Sequence, residues 1–305
     1  MNYCYLTKLL FILAIFFSIS IFIYSKEYKL YFLGGQSNME GYGLVKELPA
    51  GLQYGLNGVM IFHGNPAPDG VAVDGRGIWA ELISGHGADF SSDGINNFYS
   101  NHFGVELTFA QILLKLSPEE NIALIKYSRG GTSIDQEAAG EFGCWEPDYN
   151  NGNGVNQYDH FLATVRNALS QKDIDGDGED DVLIPAGIIW MQGESDGYFT
   201  EEIANRYESN LNKLIESMRT EFKNKNLPVV IGRITDSGQD DDGKVWNFGE
   251  IIQAAQESFV NNDVNAALVN STNDYKYSDI WHYDSEAYLD LGQKFAEAIY
   301  RLSQD

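Results

Sequence analysis

The order of apolar patterns along the chain constrains its fold most strongly. Short apolar runs that read as strands alternate with stretches whose apolar residues recur every three or four positions, the period of an amphipathic helix. Runs of the first kind, which we predict to be buried strands, occupy residues 28–33, 122–127, 186–191, 229–234 and 266–269. Buried strands separated by helices are typical of a parallel sheet covered on both faces. We therefore predict an α/β fold with five parallel strands in one doubly wound domain.

Three of the predicted strands are followed by glycines. Gly35, Gly131 and Gly193 each lie just beyond an apolar run. Ligands of open parallel sheets bind beyond the carboxyl ends of the strands. We expect the residues around these glycines to meet at one site.

Two residues indicate where helices begin. Thr200 and Asp284 are each suited to cap the helix that follows.

The first 25 residues have the pattern of a signal peptide. Lys8 precedes an apolar run over residues 9–24, and the small residue Ser25 follows it. The run is shorter than the roughly 20 residues that a membrane-spanning helix needs, which favours cleavage over an uncleaved anchor. We predict cleavage near Ser25, export of the protein to the periplasm or medium, and a single domain over residues 26–305. Cys144 would then be the only cysteine, so no disulfide could form within the chain.

The net charge of −24 bears on possible partners. A surface this acidic repels the phosphates of nucleic acids and the anionic headgroups of lipids. We therefore expect no nucleic-acid partner, and no membrane partner once the signal is removed.

Residues 40–103 interrupt the alternation of strands and helices. The segment is rich in glycine, asparagine, aspartate and aromatic residues, and it is too long for a plain connection. We predict an elaborated loop that walls the site, in which Trp79 could stack on a sugar ring. Phe90, Phe98 and Tyr99 are open to the same interpretation, and packing of all four against the domain is the alternative.

A serine and a histidine are the strongest catalytic candidates. Ser37 follows the first strand in a sharp turn, where its hydroxyl would be exposed. Asp279 and His282 lie three apart just before the last helix. That spacing can place the carboxylate on one ring nitrogen and leave the other to accept a proton from serine. The backbone amides of Ser37 and Gly131, with the side-chain amide of Gln192, would complete an oxyanion hole.

Four blocks of sequence together resemble the SGNH hydrolase superfamily. The match is to its sialate O-acetylesterase-like branch, which includes the acetylxylan esterases of carbohydrate esterase family six. The blocks are Gly35-Gln36-Ser37-Asn38-Met39, Gly130-Gly131-Thr132-Ser133, residues 190–196, and residues 279–285. They occur in the family's order and span nearly the whole mature chain.

This resemblance implies a flavodoxin-like α/β/α sandwich, an acetylated carbohydrate substrate, and ester hydrolysis without a cofactor. The third block departs from the wider superfamily, which usually has asparagine where this chain has Gln192. The sialate-esterase branch is similar in using glutamine. We also expect Gln36, Asn38 and Glu194 to contact substrate, although hydrogen bonding between loops is the more favoured role for Glu194.

Two alternatives remain open from the sequence. Ser195 lies in a Gly-x-Ser-x-Gly pattern between a strand and a helix, which is typical of the nucleophile of an α/β-hydrolase. That interpretation leaves the block around Ser37 unexplained. The other alternative is a carbohydrate-binding protein without catalytic activity, which would have no need of Ser37, Gln192, Asp279 and His282 together.

An acidic loop precedes the third strand. Asp173, Asp175, Asp177 and Asp181 stand at positions one, three, five and nine of a pattern that resembles a calcium loop. Position twelve, which normally supplies two oxygens, is Ile184. We predict a structural calcium site here, with a solvated acidic loop as the alternative.

Overall fold

A computed structural model describes residues 25–65, 72–150 and 155–304 of the chain. The predicted signal peptide lies almost wholly outside these described residues. Within them, no helix is both long enough and apolar enough to cross a membrane.

Strands and helices alternate through most of the described chain. The strands are β1 (Glu27–Gly35), β2 (Gly43–Leu44), β3 (Leu56–His63), β4 (Trp79–Leu82), β5 (Ser91–Ser92), β6 (Asn97–Phe98), β7 (His102–Phe103), β8 (Asn121–Ser128), β9 (Val182–Met191), β10 (Val229–Gly232) and β11 (Ala266–Val269). The α-helices are α1 (Ser37–Glu40), α2 (Glu106–Leu116), α3 (Gln157–Ser170), α4 (Glu201–Glu221), α5 (Gly249–Asn262) and α6 (Ser285–Leu302).

The main sheet contains seven strands in the order β11-β10-β9-β1-β8-β3-β4. All neighbouring pairs are parallel except β3 and β4, which are antiparallel. The α/β class is confirmed, and all five predicted strands are present. The predicted count of five is too low because residues 40–103, expected to be a loop, supply β3 and the edge strand β4.

Helices cover both faces of this sheet. Helix α2 packs with α6, and α4 packs with α5. The central strand β1 is buried along nearly its whole length, as a strand covered on two sides must be. Both predicted caps are present: Thr200 accepts a hydrogen bond from the amide of Ile203, and Asp284 accepts one from that of Ala287.

The end of β1 is fixed by close packing of backbone against backbone. Gly35 is aligned with Ser128 of β8 on one side and with Met191 of β9 on the other. It has a φ of 144°, and a Cβ atom there would lie 1.9 Å from the carbonyl oxygen of Met191. Only glycine fits this position. The turn that follows places Ser37 at the first residue of α1, directly above the centre of the sheet.

Candidate active site

A cavity of about 690 Å³ opens at the carboxyl ends of the central strands. The serine and the histidine singled out from the sequence both line it. Among the described residues, the lining consists of Gln36, Ser37, Glu40, Tyr42, Arg129, Gly130, Gly131, Ala138, Gly140, Glu141, Phe142, Ser195, Tyr198, Phe199, Trp246, Trp281 and His282. The fold therefore brings together residues that are 245 positions apart in the chain, as the parallel sheet predicts.

Asp279 holds His282 by its side chain and by its backbone. One carboxylate oxygen lies 2.8 Å from Nδ1 of the ring. The other accepts hydrogen bonds of 2.7 Å from the backbone amides of Trp281 and His282. On the cavity side, the ring of Tyr42 stacks on the imidazole with a centroid separation of 3.7 Å. The Asp279 contact orients the ring so that Nε2 is the nitrogen left for a substrate or a nucleophile.

The same contacts explain the acidity of Asp279. Partial burial alone would raise the pKa of this carboxyl group. The hydrogen bond with His282 and the two backbone amides outweigh that effect and lower the pKa below its usual value. Asp279 is therefore ionised at neutral pH and can stabilise positive charge on His282.

Asn38 joins the helix that begins at Ser37 to the loop that carries His282. Its amide nitrogen donates to the carbonyl of Trp281 over 3.2 Å, and its oxygen accepts from the backbone amide of Tyr283 over 3.4 Å. These are the residues on either side of His282. The oxygen also accepts from the hydroxyl of Tyr288, and the whole residue is buried. Asn38 lies outside the described cavity lining and bridges the Ser37 and His282 segments, and its predicted substrate contact stays a prediction.

Glu194 is the second partner of Asn38. Its Oε1 accepts from the Asn38 amide nitrogen over 2.8 Å, while Oε2 is buried without a hydrogen-bond partner among the described residues. Burial raises its pKa to about 7, although the hydrogen bond from Asn38 opposes this rise. The side chain is 1% exposed and absent from the cavity lining. Glu194 therefore forms the favoured alternative, a link between loops, and its predicted substrate contact stays a prediction.

Gln192 lies beneath the cavity and not on its wall. The residue is fully buried, and its amide nitrogen donates to Asp196 over 2.7 Å and to the carbonyl of Thr132 over 3.1 Å. With both amide protons engaged, this conformation offers none to an oxyanion in the cavity. The side chain instead fixes the turn that contains Gly131.

Gln36 does line the cavity, but the oxygen of its side-chain amide faces the third block of sequence, residues 190–196. That oxygen accepts hydrogen bonds of 3.3 Å from the backbone amides of Gly193 and Ser195, and it lies 3.3 Å from the amide nitrogen of Gln192. Gln36 therefore ties the turn that contains Ser37 to the end of β9.

Neither the backbone amide of Ser37 nor that of Gly131 donates to an acceptor within the described part of the chain. Gly131 has a φ of 71°, and a Cβ there would approach the ring of Phe142 to 2.6 Å. Glycine is thus required at the turn, and both amides stay available for a developing negative charge.

The wall of the cavity differs from the one that we predicted. Of the described residues between 40 and 103, Glu40 and Tyr42 alone line it. Trp79 instead lies on the edge strand β4, where its ring nitrogen donates to the carbonyl of Ala168 in α3. The ring of Phe90 stacks on buried His63, Tyr99 lies against His86, and Phe98 is exposed outside the cavity. The alternative, packing against the domain, is therefore correct for Trp79 and Phe90.

Four aromatic residues that the sequence did not single out surround the opening. Phe142, Tyr198, Phe199 and Trp281 are each between 38% and 50% exposed and line the cavity. They come from three separate loops that follow β8, β9 and β11. The sequence pattern that could have indicated this rim is the presence of aromatic residues in the loops after three strands of the sheet.

Ser195 lines the same cavity without the geometry of a nucleophile elbow. The segment after β9 forms turns, and α4 begins only at Glu201. A nucleophile elbow is a sharp, strained turn leading directly from strand to helix. Among the described residues other than glycine, only Asp89 and Lys223 have a positive φ. Ser195 is therefore in an ordinary turn.

The acidic loop lies at the opposite edge of the sheet, just before β9. Carboxylate oxygens of Asp173, Asp175 and Asp177 come within 4.8 Å of one another, which suits a hard cation. The ammonium group of Lys26 contacts Asp175 and lies 2.7 Å from Asp177, so it neutralises part of the cluster. Asp181 stands apart, accepting from the backbone amide of Ile174. Calcium would have to displace Lys26, and the site stays a prediction.

The raised pKa of Glu194 predicts a pH-dependent stability. The folded state favours the protonated acid, so its contribution is complete below the usual pKa of 4.5 and is lost as pH rises toward 7. We expect the free energy of unfolding, measured by urea titration, to fall from pH 5 to pH 8 more for wild type than for E194Q. The difference should be about 1.4 kcal/mol per unit of the pKa shift of Glu194. The exposed control E119Q should follow wild type. If wild type and E194Q differ in unfolding free energy by the same amount at pH 5 and pH 8, the raised pKa of Glu194 is contradicted.

The calcium prediction is tested by the melting temperature. Millimolar calcium is expected to raise the melting temperature over that in EDTA, because an ion that binds only the folded state stabilises it. D173N should reduce the difference. Esterase activity should persist in EDTA, since the loop lies at the far edge of the sheet. Equal melting temperatures in calcium and in EDTA would contradict the calcium site and indicate that Lys26 alone neutralises charge in the aspartate cluster.

The fold is similar to several solved structures. A protein from Arabidopsis thaliana, AT4G34215, has a TM-score of 0.64 and 18% identity over 91% of this chain and 99% of that one. XAC1771, a carbohydrate acetylesterase from Xanthomonas citri, has a TM-score of 0.59 and 17% identity over 90% of this chain and 57% of that one. NanS has a TM-score of 0.57 and 16% identity, over 92% and 99% of the two chains.

The sequence also matches a family model over most of its length. No curated protein matches the chain. The model of the carbohydrate esterases described as sialic acid-specific acetylesterases, however, matches residues 27–301, which include all four blocks and the entire cavity. The chain therefore belongs to this family of carbohydrate esterases and is a carboxylic ester hydrolase.

Proposed function

We propose that the protein is an exported serine esterase that removes O-acetyl groups from carbohydrates through an acyl-enzyme intermediate. The observation that carries this proposal is the meeting of Ser37 with the Asp279–His282 pair in one cavity. Ser37 also stands where two unengaged backbone amides can receive an oxyanion. These are the parts that acyl transfer requires.

The reaction follows from the placement of these groups. Nε2 of His282 accepts the proton of the Ser37 hydroxyl as the serine oxygen attacks the acetyl carbonyl. The amides of Ser37 and Gly131 stabilise the negative charge on the carbonyl oxygen. The ring then gives its proton to the departing sugar hydroxyl. Water, deprotonated by the same ring, attacks the acetyl-serine ester and releases acetate. None of these steps requires a cofactor.

The exposed aromatic rim supports a carbohydrate substrate. Sugar rings have apolar faces of C–H groups that pack on aromatic rings, while their hydroxyls stay hydrated at the edge. Trp281 is directly beside His282 and is 49% exposed, and Tyr198 and Phe199 present two further rings on another side of the opening. A glycan could therefore lie across the rim with one acetyl group reaching Ser37.

Export is the part of the proposal that rests on the N-terminal pattern. Cleavage near Ser25 would leave Lys26 and all of β1 in place, and with them the contacts of Lys26 with Asp175 and Asp177. The mature domain would therefore keep its complete sheet. N-terminal sequencing of the exported protein should begin near Lys26, and a retained apolar segment would favour an anchor.

Substitution of the two serines separates the competing mechanisms. S37A is expected to lower kcat for an acetyl ester by about 10⁴-fold or more, because it removes the nucleophile. S195A should keep most of the activity, since Ser195 lies in an ordinary turn. Initial rates with p-nitrophenyl acetate and with acetylated xylo-oligosaccharides measure both effects. The reverse pattern would establish Ser195 as nucleophile, and no hydrolysis by wild type would favour a binding protein.

The bridge formed by Asn38 predicts a loss of kcat when its donor is removed. N38D replaces the amide nitrogen with an acceptor that faces the Trp281 carbonyl and Glu194, so the His282 loop should shift. We expect kcat to fall by about 10²-fold, the cost of misplacing a catalytic group by about 1 Å, with little change in KM. The matched control N121D loses a comparable bond to the Glu27 carbonyl at the far edge of the sheet.

A double variant makes this test specific. N38D/E194Q restores a donor opposite the new carboxylate, with the hydrogen bond reversed in direction. It should recover part of the kcat lost in N38D. Equal kcat in N38D and wild type, or no recovery in the double variant, would contradict a positioning role for Asn38.

A further inference from the structure

A second cavity of about 360 Å³ opens at the same edge of the sheet, beyond β10 and β11. Arg233, which directly follows β10, and Asn273, which lies shortly after β11, both line it. The beginning of α5 contributes Glu250 and Gln253 to the lining. Its volume is in the range of about 300–1,000 Å³ that is typical of small-molecule sites. The steps of ester hydrolysis make no use of this cavity.

Trp246 lies between the two cavities and lines both of them. Its ring nitrogen donates to the carbonyl of Thr235 over 3.2 Å, and its backbone amide donates to the carboxylate of Asp236 over 2.7 Å. Tyr198, on the rim of the cavity beside Ser37, lies edge-on to the indole with a centroid separation of 6.5 Å. The two cavities are therefore adjacent, and aromatic rings connect the rim of the first with the wall of the second.

The segment that carries Trp246 is tied to the loop that carries His282. The hydroxyl of Ser237 donates to the carbonyl of Ile280 over 2.8 Å. The carboxylate of Asp236 closes the segment by accepting from the backbone amide of Val245 over 3.0 Å. The second cavity is thus held in place relative to His282, as a subsite for a longer substrate requires.

The charges around the second cavity are balanced. Its described lining contains two cations, Arg233 and Lys244, and two carboxylates, Asp236 and Glu250. The ammonium group of Lys244 lies 2.6 Å from Glu250, and Nε of Arg233 donates to Glu257 over 3.0 Å. Because these cations already have anionic partners within the protein, the cavity suits an uncharged polar ligand better than an ion.

The lining also offers hydrogen-bonding atoms of both kinds. Arg233 donates through Nη1 to Oδ1 of Asn273 over 2.7 Å, while its Nη2 and the Asn273 nitrogen bond to no described residue. Gln253 donates through its nitrogen to the carbonyl of Ile234, and its oxygen has no donor among the described residues. Sugar hydroxyl groups both donate and accept. Two donors and one acceptor around a cavity of this size therefore match a sugar ring.

We propose that the second cavity binds an uncharged sugar residue joined to the one whose acetyl group reaches Ser37. This inference rests on the proposed esterase function and specifies that its substrate is an acetylated oligosaccharide or a longer glycan. Binding energy gained at a distance from the reacting ester can raise kcat/KM. The enzyme therefore prefers an acetylated oligosaccharide to the corresponding acetylated monosaccharide, whichever acetylated sugar enters the cavity beside Ser37.

Pairs of substrates that differ in length test the proposal. The kcat/KM of wild type is measured for an O-acetylated sialic acid, free and linked to a neutral disaccharide, and for acetylated xylose and acetylated xylotriose. In the pair that is hydrolysed, the longer substrate should be favoured by at least about tenfold. p-Nitrophenyl acetate, which is too small to reach the second cavity from Ser37, reports on the chemistry alone.

Two variants assign this preference to the second cavity. N273A and Q253A remove lining side chains that take no part in ester hydrolysis, and each should lower the preference by about threefold or more, the net value of one hydrogen bond. The double variant should bring the two kcat/KM values close together, with wild-type rates on p-nitrophenyl acetate. N262A, which removes an exposed asparagine at the other end of α5, should keep the wild-type preference.

Affinity provides a readout that does not depend on turnover. In S37A, calorimetry should show tighter binding of the longer substrate by at least about tenfold, and Q253A/N273A in the same background should abolish that difference. Equal kcat/KM for both members of each pair, or a preference that survives in the double variant, would overturn the proposal. Hydrolysis of p-nitrophenyl acetate without release of acetate from any of the four sugars would overturn the proposed carbohydrate function and this inference with it.

Discussion

The contact between Gly35 and the backbone of β9 is the constraint on which the site depends. Because no side chain lies between the two strands there, β1 can end level with β8 and β9. The residues after all three strands then emerge within reach of one another at the carboxyl edge of the sheet. Ser37 follows β1, the amide of Gly131 follows β8, and the third block follows β9. A larger residue at position 35 would separate these strands and with them the parts of the site.

A buried hydrogen-bond network transmits this alignment to His282. The loop that carries His282 follows β11, the last strand in the chain. Because β11 is not a neighbour of β1 in the sheet, strand pairing does not place His282 beside Ser37. Asn38 makes the connection, since it binds the residues before and after His282 and is itself held by Glu194 from the end of β9. Burial makes each bond costly to lose, because a partner left without its hydrogen bond cannot turn to water. The block around Ser37 and the block around Glu194 therefore position His282 as well as Ser37.

The predictions that succeeded from sequence were those that depend on local periodicity and on chain order. The parallel strands and the caps at Thr200 and Asp284 follow from patterns of a few residues, and the meeting of Ser37 with His282 follows from the rule for strand ends. The roles of Asn38, Glu194 and Gln192 were less predictable, because a polar side chain near a site can face the ligand or the interior. The number of strands was underestimated because β3 has a buried apolar run only in its second half and β4 is a short edge strand. Similarly, the aromatic rim comes from loops whose direction no local pattern specifies.

We propose that Ser37 is the residue that becomes acylated, and covalent labelling can identify the acylated serine. Wild type treated with a fluorophosphonate, which reacts with a serine activated by a histidine, is digested and mapped by mass spectrometry. The account predicts that the label is found on the peptide containing Ser37, that labelling and loss of esterase activity proceed at the same rate, and that H282A prevents both. Labelling of the peptide containing Ser195, with Ser37 unmodified in the inactivated enzyme, would contradict the account.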